Sequence, residues 1–338
     1  MSRQMSWNGG NGGNLGDGWD GWDGWGNASA FDAASEDREL ALALIRTRER
    51  LVYGLPQKFD RPPHWPGAQP DKALRALSTG IRSQLATMDL LSTLRVTLKL
   101  EDKAPVEPRT VQIESKTGTL DIESPTPTTF QADLAKVEAM ATLRAERSVE
   151  IFAQERFNPA FWAAVLPLNP KSTPYTLELM GAVVSIASFV VQRCKAFLGL
   201  PRPADLSPRI QPMLPAPQSS TYPGGHAIES ALLAHVLVLL LTGTVKDTTG
   251  EGWLLTVGKM LHELAARIAE NRVVAGIHFT IDRGPVPTYD GKNKDLASFL
   301  AGAMNAVAEE FKDKKKDESN VFSWLWWNAK SEWKEGDK

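Results

Sequence analysis

The sequence predicts an all-α protein, a helical bundle that carries one small β-hairpin insertion near residues 109–124. Apolar side chains recur at helical spacing along most of the chain, while alternation of period two is confined to that one short stretch. With 42% hydrophobic and 23% charged residues among 338, the composition is that of an ordinary globular protein able to bury a sizeable core.

In chain order, residues 1–35 are rich in Gly, Asn and Asp, with Gly-Trp steps at Trp19, Trp22 and Trp25. So much glycine makes ordering entropically costly, and a disordered tail is expected whose tryptophans could hold a partner. Residues 36–170 read as an N-terminal helical part. Leu40, Leu42, Leu44, Ile45 and Leu51 space a helix over Glu36–Tyr53, and a Pro-rich connector follows at Pro62–Pro66. Asp71–Leu100 reads as one long amphipathic helix, with Leu74, Leu77, Ile81, Leu85, Leu90, Leu91 and Leu94 turned inward. Val111/Ile113 and Leu120/Ile122 alternate around Lys116-Thr117-Gly118, which predicts the hairpin. Gln131–Phe157 closes this part as a helix. Residues 171–311, continuous with it, read as the core, with helices over Thr176–Leu198, His226–Leu241, Gly252–Asn271 and Lys294–Phe311.

The tail 312–338 opens with the charged run Lys312–Lys316 and then carries Phe322, Trp324, Leu325, Trp326, Trp327 and Trp333. Tryptophan beside lysine can mark an interfacial membrane anchor. The shortness of the segment and its Glu332, Glu335 and Asp337 favour docking onto the protein itself or a second copy.

A net charge of −2 argues against broad nucleic-acid binding, so an anion site must come from local clustering of cations. The single cysteine, Cys194, excludes an intrachain disulfide and a cysteine-based zinc cage. The N-terminus lacks the basic-then-apolar layout of a secretory signal, and the apolar runs Gly181–Val191 and Ala231–Leu241 are short for a bilayer span. A soluble, cytoplasmic protein with no transmembrane segment is therefore expected.

Three clusters carry the chemistry. Lys195 is followed after six residues by Arg202-Pro203; Pro223-Gly224-Gly225-His226 opens an apolar run; and Arg272 is followed by His278 and then Asp282. A mobile ammonium and a planar guanidinium are complementary ways to hold a tetrahedral oxyanion. Two glycines at a helix start let free backbone N–H groups approach an anion, where the helix dipole adds positive potential. His226, in the first helical turn, is placed to donate or accept a proton. His278 and Asp282 are four apart, so on a helix they share a face. The carboxylate can then fix one imidazole nitrogen and leave the other basic, as a nucleophilic or metal-ligating histidine requires. His235 reads as a core residue, His64 as part of the Pro-rich loop, and His262-Glu263 lacks the second histidine of a zinc protease. Cys194 reads as a buried small apolar residue.

In this order the clusters resemble the signature of the type 2 phosphatidic acid phosphatase and vanadium haloperoxidase superfamily over roughly residues 176–285. The departures are Gly224, where the family usually has serine, and Asn271, where it has serine before the arginine. The first removes a hydroxyl donor to the bound anion. The resemblance implies a bundle of the acid phosphatase/haloperoxidase type. It implies that Lys195, Arg202 and Arg272, with Gly224 and Gly225, bind phosphate or vanadate. In a haloperoxidase, His278 is the ligand of a vanadate cofactor, His226 assists by acid–base transfer, and the substrates are hydrogen peroxide and halide. In a phosphatase, which needs no cofactor, His278 attacks a phosphoester, Asp282 orients it and His226 protonates the leaving alcohol. The long front half, the expected solubility and the strings Thr221–Ala227 and Ala275–Phe279 lean towards the haloperoxidase. A non-catalytic oxyanion-binding scaffold, with Trp-rich tails that recruit a partner or a second copy, is the third reading.

Overall fold

The computed structural model describes residues 70–99, 109–244, 252–283, 295–312 and 320–334. The Gly/Trp-rich stretch 1–35, the expected helix Glu36–Tyr53, the Pro-rich connector and His64 lie outside the described residues, as does most of Lys312–Lys316.

The stretch Asp71–Leu100 is not one helix. It forms α1 (Pro70–Ala76), α2 (Thr79–Leu91) and the strand β1 (Arg95–Lys99). Ser78 is extended and its hydroxyl accepts from the Ile81 N–H at 3.4 Å, an N-cap that restarts the helix. β1 carries Val96, Thr97 and Leu98, and the alternation of a half-buried strand overrides the helical spacing that runs up to Leu94. The predicted hairpin is present as β2 (Thr110–Ser115) and β3 (Gly118–Glu123), in a three-stranded antiparallel sheet of order β1-β2-β3. Its register places Val96 and Leu120 opposite Ile113, and Leu98 and Ile122 opposite Val111. Those central side chains, Val111 and Ile113, are buried in the main core.

Gln131–Phe157 likewise divides, into α3 (Pro127–Met140), a 3-10 turn (Ala141–Leu143) and α4 (Arg144–Ala153), followed by the short α5 (Ala160–Ala163). α3 starts early because Thr126 caps it and Pro127 fits the first turn. The core helices are α6 (Pro174–Leu198), the short α7 (Pro203–Leu206), α8 (Gly225–Leu241), α9 (Trp253–Val274) and α10 (Leu296–Glu310). α8 is apolar on nearly every side because it is the central rod, packed by α6, α9 and α10. α6 ends at Gly199, whose φ of 60° is the left-handed cap conformation that glycine reaches without strain.

The C-terminal segment forms α11 (Val321–Ser331) and lies on α6, α2 and α10. Phe322 and Trp326 are fully buried. The indole N–H groups of Trp324, Trp327 and Trp333 donate to Asp71, to the Ala308 carbonyl and to Thr176 at 3.0, 2.9 and 2.9 Å. Glu332 accepts from the backbone N–H groups of Tyr175 and Thr176, both at 2.8 Å, and so caps the start of α6.

The span Pro174–Leu206, which contains α6, is long and apolar enough to cross a membrane by length and composition. The shorter runs read from the sequence underestimate it. Within the bundle, 67% of its most apolar window is covered by other parts of the protein, as in a core helix.

Candidate active site

The site forms where the C-terminal end of α6, the N-terminal end of α8 and the C-terminal end of α9 meet. Lys195 lies in the last turn of α6 and is buried. Beyond Gly199 the chain runs through Pro201 to Arg202, whose backbone N–H donates to Asp205 Oδ2 at 2.8 Å. The Arg202 guanidinium is held from behind: Nε donates to the Ser219 carbonyl at 2.9 Å and Nη1 to the Ile277 carbonyl at 2.8 Å. The segment between α7 and α8 thus contributes a direct brace to one of the cations.

α9 delivers Arg272 into the interior at 2% exposure. Its Nη2 donates to the Ile151 carbonyl at 2.7 Å, while Nε and Nη1 have no hydrogen-bond partner among the described residues. A buried guanidinium with two open donors is a strong anion-binding group, because an unmet buried donor costs about 1–3 kcal/mol until it is satisfied. Burial lowers the Arg272 pKa to about 10, with Glu155 pulling the other way, so the group stays charged at neutral pH.

His278 and Asp282 do not share a helix face. His278 sits in the loop after α9 and Asp282 in a 3-10 turn (Thr280–Arg283), yet that turn brings His278 Nδ1 to 2.8 Å from Asp282 Oδ2. The same oxygen accepts from the Phe279 N–H at 2.8 Å and from the Thr221 hydroxyl. With Nδ1–H donated to the carboxylate, the lone pair of His278 lies on Nε2. Burial, assisted by Lys195 and Arg202, lowers the His278 pKa to about 4 despite Asp282. The ring is therefore neutral at neutral pH, as a nucleophile or ligand must be.

His226 is also neutral: burial first, then Arg272 and His278, hold it well below its ordinary 6.5. Its Nε2–H donates to the Gln154 carbonyl at 3.0 Å.

Lys195, Arg202, Gly225, His226, Arg272 and His278 line one cavity of roughly 640 Å³, open on one side. Gly224 and Asp282 stand behind it, joined by a 2.8 Å bond from the Gly224 N–H to the Asp282 carbonyl. A Cβ at Gly224 would stand 3.1 Å from the Asp282 carbonyl oxygen, tighter than ordinary contact, so a serine there would require the chain behind His278 to give by a few tenths of an ångström. Asn271 donates to Glu150 and Gln154 at 2.9 and 2.8 Å and ties α9 to α4, away from the anion position.

Some participants are not evident from spacing. Thr221 and Asp133 support the histidine turn, Asp133 by accepting from the N–H and hydroxyl of Thr280, both at 2.6 Å. Glu229 lines the cavity from α8; its signal in the sequence is a lone carboxylate in the apolar run Ala227–Leu241. A second, largely apolar pocket of roughly 350 Å³ adjoins the first, with Phe157, Phe161, Trp162 and Leu233 in its wall and His226 and Glu229 common to both. Elsewhere, His235 and His262 face each other in the core with ring centroids 4.6 Å apart, both lowered to about 4 by burial. Burial pushes the Cys194 thiol up to about 12, which makes it unreactive at neutral pH.

No curated protein matches the chain. Residues 176–283 match the family model of the PAP2 superfamily, a group whose members are generally enzymes, phosphatases and haloperoxidases among them. That segment, which holds Lys195, Arg202, Gly224, Gly225, His226, Arg272, His278 and Asp282, is the part of the chain that is similar to the PAP2 superfamily.

Proposed function

We propose that the cavity binds a tetrahedral oxyanion and that the chain hydrolyses phosphomonoesters through His278. The observation that carries this reading is the 2.8 Å bond from His278 Nδ1 to Asp282 at the floor of a cavity walled by Lys195, Arg202 and Arg272. Neutral His278 offers Nε2 to phosphorus. The three cations and the Gly225 N–H meet the negative charge that spreads over the non-bridging oxygens in the transition state. The negative charge of the bound ester favours the imidazolium form of His226, which takes up a proton as the ester binds. As the N–P bond forms, the ester P–O bond breaks and the leaving oxygen takes that proton, which returns His226 to the neutral form. Water then attacks the phosphohistidine, His226 recovers a proton from it, and phosphate departs. The adjoining apolar pocket suits the organic part of the ester.

The haloperoxidase reading keeps the same groups. Lys195, Arg202, Arg272 and Gly225 would hold vanadate with His278 Nε2 as its ligand, and bound vanadate would supply peroxide activation and halide oxidation. The hold of the Gln154 carbonyl on His226 favours this reading, because no leaving alcohol then has to be protonated. The expected lack of a membrane span no longer supports it, since Pro174–Leu206 meets the length and apolarity of one.

Purified protein assayed with p-nitrophenyl phosphate, and in parallel with orthovanadate, peroxide and bromide, separates the two. Hydrolysis inhibited by vanadate, without halogenation, is the expected result, and His278→Ala lowers it by about a thousandfold or more. Vanadate-dependent halogenation that disappears in the same variant would replace it with the haloperoxidase. Oxyanion binding unaffected by loss of both His226 and His278, with no turnover at all, would leave the scaffold.

A further inference from the structure

One carboxyl group in the cavity has no part in the chemistry above. Glu229 lies on α8 one turn after His226 and is 3% exposed. Its Oε1 stands 3.8 Å from where a Cβ on Gly225 would be, so the carboxyl hangs over the first turn of the helix, at the anion end of the cavity. Its Oε2 has no hydrogen-bond partner among the described residues. The charged and titratable groups that share its surroundings are Lys195 on α6, Arg202 before α7, Arg272 on α9, His278 beyond it, Glu155 and Arg156 between α4 and α5, and His226 on its own helix.

An ionised carboxyl here would confront a bound oxyanion with like charge inside a low-dielectric cavity, which is strongly unfavourable. A protonated one has a hydroxyl to donate. We propose that Glu229 takes part in oxyanion binding as a carboxylic acid, donating its proton in a hydrogen bond to an oxygen of the anion, so that anion and proton are held together. The proposal rests on the oxyanion-binding reading of the cavity and is independent of the reaction that follows. Gly224 carries no side-chain donor, so Glu229 supplies the one hydroxyl that this end of α8 brings to the cavity. Burial pushes the Glu229 carboxyl up to about 8 against the pull of Lys195, which makes the acid the resting form at neutral pH. The sign follows: the donor is present below that value, is lost as pH rises through it, and a bound anion moves the loss to higher pH.

Sulfate tests this cleanly, because it is tetrahedral and its charge is constant across the range used. Titration calorimetry on the full chain, in buffers of different ionisation enthalpy, reads affinity and proton uptake together. For the unaltered protein, affinity should fall about tenfold or more between about pH 6 and about pH 9.5, with uptake of about one proton per sulfate near the upper end. Glu229→Gln, a neutral donor of the same shape, should vary less than about twofold with no such uptake. A Glu229→Gln profile that falls as the unaltered protein does, with the same proton uptake, overturns the proposal. So does tighter sulfate binding by Glu229→Gln at about pH 6, which would make Glu229 an ionised partner of Lys195 that the anion must displace. If the variant does not fold, the unaltered protein decides alone, since sulfate binding without proton uptake refutes the idea. Failure of the unaltered protein to bind sulfate at all overturns the oxyanion cavity itself, and this proposal with it.

Discussion

The two ends of α6 each bury an arginine, and they treat it in opposite ways. Near the N-terminal end, Arg82 on α2 meets Glu178 on α6. Nε and Nη2 donate to the two carboxylate oxygens at 2.9 and 2.6 Å, and Nη1 donates to the Leu77 and Leu74 carbonyls. Every guanidinium nitrogen is used and the charge is neutralised in place. Near the C-terminal end, where Lys195 lies, Arg272 is buried at least as deeply; among the described residues it donates to a single backbone carbonyl, makes no hydrogen bond to a carboxylate and keeps two donors open. The first is a joint between helices. The second is a buried charge with open donors among the described residues, the condition that the proposed oxyanion would meet. Burial alone therefore does not mark a functional arginine; missing compensation does.

Exchanging the two fates is the sharpest way to break that contrast. Glu178→Leu strands a buried charge on Arg82 and should cost about 3–5 kcal/mol of stability in a denaturant melt. Arg272→Leu removes a buried charge that no carboxylate meets by a hydrogen bond among the described residues, so stability should hold or rise. Its sulfate affinity should drop about a hundredfold or more, the worth of two charge-assisted hydrogen bonds at about 1.5–3 kcal/mol each. Equal destabilisation by the two variants would erase the distinction.

Next in size is Asp282→Asn. The carboxylate fixes the His278 tautomer through Oδ2, so kcat should fall about 10- to 100-fold while the melting temperature changes little. Unchanged turnover would show that the turn geometry alone orients the ring.

The smallest effect is expected for Gly224→Ser. Sequence comparison suggests that a hydroxyl there adds a donor and tightens anion binding. The Asp282 carbonyl at 3.1 Å from the new Cβ makes the outcome a loss of about 1–2 kcal/mol in stability with no gain in sulfate affinity. Tighter binding would show that the chain behind His278 yields easily.

The helices were legible where side chains alone define them: α6, α8, α9 and α10 lie within a few residues of their predicted spans because their apolar spacing and flanking Gly or Pro are local signals. The hairpin was legible from Lys116-Thr117-Gly118 for the same reason. β1 was not, since Val96 and Leu98 gain their strand identity only by pairing with Ile113 and Val111, far along the chain. The split at Ser78 rests on a single cap bond, too small a signal to interrupt a long amphipathic pattern.

Within the cavity, the sequence by itself determined which groups are available: the cations, both histidines, the aspartate and the glycines, in an order that the PAP2 match contains. Tertiary structure decided what each group is. A 3-10 turn rather than a helix joins His278 to Asp282, the Asp282 carbonyl occupies the space above Gly224, and desolvation sets the protonation of His278, Arg272 and Glu229. The physical reason is range. Caps, turns and amphipathic stripes are settled within a few residues, whereas a buried charge or an open donor depends on what distant helices bring, or fail to bring, within hydrogen-bonding distance.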